Sequence, residues 1–179
     1  MAEPSGRKFI DASLFLGMHS ADNALRYACR AFFIEHFDGE LFMSLEQVGL
    51  CDDVIWRHPR AAQDAYYPFM DLLQSQMRIR RVPYAEDDIR ESRAPRFDGA
   101  PVLDRLLLGQ ISACNGMLYS ARHSLLKGYD LQVAAPRSPA ATDGDAAAGP
   151  AFPGALEPLY QTSLVLALTA KELRLCLND

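Results

Sequence analysis

Along the first 136 residues, short apolar runs alternate with stretches in which large apolar side chains recur every third or fourth position. Residues 8–16, "KFIDASLFL", crowd aromatic and branched groups into one run and predict a strand. Ser20 or Asp22 can then cap a helix whose Leu25, Cys29, Phe32 and His36 share a face, with "FDGE" as its stop. A short strand, "LFMS", follows, and Ser44 with Gln47 forms a capping box for the helix "SLEQVGLCDDVIW". Residues 60–76 predict another helix, which Pro68 is expected to kink or interrupt. "RIRRVPY" reads as a strand near a sheet edge, because its arginines suit solvent, and "AEDDIRESR" as a charged helical segment. Pro101 fits the first turn of the helix "PVLDRLLLGQISACNG", with Gly116 as its stop. "MLYS" and "YDLQVAA" read as the last strands, joined by the helical or irregular link "ARHSLLKG".

Strands alternating with helices predict a three-layer α/β/α fold around a mainly parallel sheet, contained in residues 1–136. Residues 137–154 are rich in Pro, Ala and Gly and read as a flexible linker. Residues 155–179 are strongly apolar; Leu159, Leu166, Ala170, Leu173 and Leu177 fall near one helical face, so a helix packed on the domain or on a partner is expected. A strand through "TSLVLAL" competes, since periodicity decides poorly in a continuous apolar run.

Composition narrows the function classes. At 179 residues and 49% hydrophobic, the chain supports one well-packed core. A net charge of −5 advertises no nucleic-acid or membrane surface overall. The opening "MAEPSGRKFI" lacks the apolar stretch of a signal peptide, no run is long enough to span a bilayer, and a cytoplasmic location is expected. Cys29, Cys51, Cys114 and Cys176 are widely separated and read as reduced core thiols. His19, His36 and His58 fit no metal-ligand spacing. Phosphate-binding glycine loops, GxSxG elbows and HExxH motifs are absent from the sequence.

Asp11 is the anomaly: a carboxylate inside an apolar run needs a strand end, a cation or a metal. Glu46 and Asp104 each fall in the first turn of a predicted helix, and in a parallel sheet such helix starts gather with strand C-terminal ends at one edge. Converging carboxylates repel unless they bind a cation or protonate, and Mg²⁺ or Mn²⁺ is the cation that hard oxygen ligands would take.

With these motifs in order, residues 7–136 resemble the PIN domain, a compact α/β nuclease fold. "FIDASLFL" is similar to its opening strand, with Asp11 as first acid and Ser13 as the following hydroxyl residue; "SLEQVGLCDDVIW" is similar to the helix that carries Glu46; and "LDRLLLGQI" supplies Asp104. The resemblance implies a Mg²⁺- or Mn²⁺-dependent ribonuclease acting on RNA, with Asp11, Glu46 and Asp104 as catalytic metal ligands and Ser13 and Arg122 at the substrate. It also implies a possible homodimer or an antitoxin-like protein partner. One departure stands out: "YSARHSL" puts Arg122 or a neighbour where the family commonly has a fourth acid. That guanidinium can pair with Asp104 or Asp11 in place of a metal, or can contact a substrate phosphate. The second expectation is therefore a catalytically degenerate relative that serves as a binding or scaffolding subunit of a larger protein complex.

Overall fold

The computed structural model describes residues 6–137 and 150–177. In chain order the elements are β1 (Lys8–Ile10), α1 (Ala12–Gly17), α2 (Asn23–Glu35), β2 (Glu40–Ser44), α3 (Leu45–Trp56), α4 (Arg60–Gln76), β3 (Arg78–Val82) and α5 (Glu86–Glu91). A 3-10 turn at Pro95–Phe97 leads to α6 (Val102–Ala113), β4 (Met117–Tyr119), α7 (His123–Gly128), β5 (Gln132–Ala134), α8 (Leu156–Ser163) and α9 (Ala170–Leu177). All strand pairings are parallel, in the order β3-β2-β1-β4-β5. The arginine-bearing β3 lies at an edge, as its composition predicts.

Successive strand residues point to opposite faces of the sheet, and each face is covered by helices. Ile10, Leu41 and Met43 join the larger core cluster, built with side chains of α1 to α4. Phe9, Phe42 and Leu118 join the smaller one, with Leu107, Leu108 and Ile111 of α6. This is the predicted three-layer α/β/α arrangement. On the second face α5 and α6 approach so closely that a Cβ on Gly109 would lie 2.5 Å from the Asp88 carbonyl oxygen.

The predicted strand over 8–16 is corrected. It ends at Ile10, and Ala12–Gly17 is a helix whose six residues are all buried. A helix buried on every side shows no polar face, so its sequence imitates a buried strand. The C-terminal segment is neither one helix nor a strand. It forms α8, a turn that buries Leu166 and Leu168, and α9, and Leu168 bridges to Ser20 beside α1. Leu156, Tyr160 and Leu173 complete the larger core cluster, so this segment is part of the domain. The expected linker also runs too far, because Phe152 is 3% exposed and packs on Phe69 and Tyr160 at centroid distances of 5.5 and 5.4 Å. The rest of that linker, residues 138–149, lies outside the described residues.

Smaller differences have local causes. The helix α4 runs unbroken through Pro68. Pro101 is the residue before α6 rather than within its first turn. Asn115, not Gly116, turns the chain after α6, with φ of 49°. Of the expected capping box, Ser44 accepts the Gln47 N–H at 3.3 Å, but the Gln47 side chain is used elsewhere.

Candidate functional site

Chain order fixes where a site can form. After β1 the chain winds through β2 and β3 to one edge, then returns to lay β4 and β5 on the other side of β1. The crevice between the C-terminal ends of β1 and β4 is thus the point at which strand order reverses, where open α/β sheets bind ligands. In the β1–β4 register Ile10 faces Tyr119, so the next residues, Asp11 and Ser120, meet just beyond the strands.

Asp11 owes its place to the strand-to-helix junction. Its backbone is extended (φ −110°, ψ 176°), and its fully buried carboxylate caps α1 by accepting the Ser13 N–H at 3.0 Å. The Ser13 hydroxyl also donates to Oδ1, and the Ser120 hydroxyl donates to Oδ2 at 2.6 Å. Ser13 Oγ in turn accepts the Ala121 N–H at 2.8 Å, and Ser120 Oγ accepts the Arg122 N–H at 3.0 Å. The two serines therefore lace β1 to the chain that follows β4. The side chain of Gln47 ties α3 to the start of α1, its Oε1 accepting the Ala12 N–H at 3.0 Å. Burial raises the Asp11 pKa; the serine hydrogen bonds and the positive charge of Arg122 oppose that rise.

Asp104 and Arg122 form a bidentate ion pair, Nη1 to Oδ1 at 2.6 Å and Nη2 to Oδ2 at 2.8 Å. Both are buried, and the forked guanidinium uses both carboxylate oxygens. Glu46, from the first turn of α3, accepts a hydrogen bond from the Tyr84 hydroxyl at Oε2, while its buried Oε1 has no hydrogen-bond partner among the described residues. Burial raises the Glu46 pKa, helped by the charge of Asp104 and opposed by Tyr84 and Arg122. Burial and the adjacent Glu46 likewise raise the Tyr84 pKa.

The expected site residues therefore do gather. Asp11, Glu46 and Asp104 all lie in the field of Arg122, and Ser13 joins Asp11 directly. Their arrangement differs from the expected three-acid metal centre. Among the described residues no group of three or more His, Cys, Asp or Glu is placed to hold a metal ion. Both Asp104 oxygens face a guanidinium and both Asp11 oxygens face hydroxyls, while Glu46 Oε1 has no hydrogen-bond partner among the described residues. A divalent cation needs several oxygens converging on one point, whereas here the Asp11 and Asp104 oxygens already accept hydrogen bonds from serines and from Arg122.

Ser120 and Tyr84 belong to the cluster and were not singled out from the sequence. The signal for Ser120 is its place one residue beyond β4, level with Asp11 one residue beyond β1, which is visible only once the strands are paired. Beside the cluster opens a cavity of about 560 Å³ that Ser13 and Arg122 line together with residues of α9.

These features define a parallel α/β protein with an arginine-neutralised acidic cluster at its strand-order switch. The chain belongs to DUF6190, a family of unknown function, whose model matches residues 1–173 and so includes the C-terminal segment through α8. No curated protein matches the chain. Among solved structures it is similar in fold to PAE2754 from Pyrobaculum aerophilum, with a TM-score of 0.51 at 15% identity, covering 72% of this chain and 83% of that one. Among the described residues no helix is long and apolar enough to cross a membrane.

Proposed function

We propose that this chain is a PIN-like domain that works as a binding or scaffolding subunit and not as a nuclease. The observation that carries the reading is the buried, bidentate Arg122–Asp104 pair. It supplies inside the protein the positive charge that a divalent ion would bring to converging acids, and a guanidinium cannot be deprotonated to make way. Ser13 and Ser120 complete the substitution by satisfying Asp11 with hydroxyl donors. What remains is a cluster that ties β1, β4 and α6 together at the switch point.

Calorimetric titration of Mg²⁺ and Mn²⁺ into the purified chain tests this. The expected outcome is no saturable binding, in the wild type or in Asp11→Asn. Saturable binding in the wild type that Asp11→Asn abolishes, with metal-dependent cleavage of RNA, overturns the proposal in favour of a ribonuclease using Asp11, Glu46 and Asp104.

A further inference from the structure

We infer that the cavity of about 560 Å³ beside the Asp11–Arg122 cluster binds an uncharged, mostly apolar small molecule that carries a hydrogen-bonding group. The inference rests on the reading of this crevice as a binding site. Its volume lies in the range of pockets that hold drug-sized ligands.

The walls come from segments far apart in sequence. The junction after β1 contributes Ser13, the chain after β4 contributes Ala121 and Arg122, and α9 closes the other side with Ala170 and Leu173. The C-terminal segment therefore gives a wall to a crevice that α1 and β4 alone would leave open. Leu25, Ala121, Ala170 and Leu173 make the apolar surface.

The lining also sets the charge of the ligand. Arg122 is already neutralised by Asp104, and the other ionic residues, Asp22 and Arg174, have opposite signs. No net charge remains to repay the desolvation of an ionic ligand. Hydrogen-bonding capacity does remain. Ser20 Oγ accepts the Asp22 N–H at 3.0 Å, and a hydroxyl has a proton and a second lone pair beyond that bond.

The test is fluorescence titration of the full chain with N-phenyl-1-naphthylamine, an uncharged probe, and with 8-anilinonaphthalene-1-sulfonate, its anionic counterpart, both in EDTA. Saturable one-site binding of the uncharged probe is expected, about tenfold tighter than that of the sulfonate. Ala121→Trp and Ala170→Trp fill the cavity from opposite walls, and each is expected to weaken the uncharged probe by about tenfold or more while the cooperative melt is retained. If one variant fails to fold, the other decides. Failure of the uncharged probe to saturate, wild-type affinity in a folded variant, or tighter binding of the sulfonate overturns the inference. Because EDTA keeps divalent ions away, the result does not depend on the metal titration: metal binding there together with probe binding here removes the non-catalytic reading and leaves the pocket standing.

Discussion

Two arginine–carboxylate pairs organise this molecule, and they differ in how far water reaches them. The Arg122–Asp104 side chains are 3% and 8% exposed, while those of Arg30 and Glu157 are 8% and 24% exposed. The first pair meets fork to fork at the sheet switch point. In the second, one Arg30 nitrogen reaches both Glu157 oxygens at 2.8 Å, and its guanidinium lies 4.9 Å from the Tyr160 ring centroid and 5.9 Å from that of Phe152. Burial pushes the Glu157 carboxyl up, but hydrogen bonds from Gln161, Phe152 and Arg30 outweigh it and hold its pKa below the ordinary value. One pair cancels charge inside the candidate site. The other pins the C-terminal segment to α2, with its carboxylate partly open to solvent. The same chemistry thus serves two purposes, and the depth of burial decides what losing it costs.

The largest effect is expected at the deeper pair. Arg122→Met leaves Asp104 buried without its cation and should cost about 3–5 kcal/mol in urea denaturation. Adding Asp104→Leu should restore most of that loss, since replacing both partners by apolar groups is often near neutral. A double variant as unstable as the single one would mean that the pair acts through more than mutual neutralisation.

Acid is the next probe, because it loosens the C-terminal attachment without touching either arginine. The fully buried His19 lies 2.8 Å from Ser163 Oγ of α8, and burial lowers its pKa to about 4 from the ordinary 6.5. Between those values the unfolded chain binds the proton and the folded one does not, so stability rises with pH across that window and is lost as pH falls from 6.5 towards 4. The full loss is about 3 kcal/mol. Asp11 and Glu46, with raised pKa values, act in the opposite direction above their ordinary values. The measurement is therefore the difference in pH dependence between wild type and His19→Gln, which should remove the His19 contribution.

Arg30→Met should have the smallest effect, about 1–2 kcal/mol, with faster proteolysis of the segment that carries α8 and unchanged binding of the uncharged probe. A loss as large as that of Arg122→Met would erase the distinction between the pairs.

Much of this was legible in the residues. Alternating strand and helix patterns led to a parallel α/β sheet, the Asp22 and Ser44 caps lie where their side chains predict, and a charge in an apolar run marked Asp11. The rest depends on tertiary placement. The helix α1 hides its period because every face is buried, and α8 with α9 hides a turn inside an apolar stretch that reads as continuous. The pairing of Arg122 with Asp104 was one of several open possibilities, since the two belong to different elements and meet only when α6 and the chain after β4 reach the same sheet edge. Asp11 needed a partner, as its chemistry demands, but those partners are two serines, residues common enough that neither draws notice alone.

The outer strand β3 has its own consequence for how copies of this chain behave in a crowded solution. Among the described residues no strand pairs with its outer edge, which could template another strand, yet Arg78, Arg80 and Arg81 stand exposed along five residues. A copy aligning its own β3 there would bring like charges together, so growth of the sheet into a fibril is opposed from this side by repulsion.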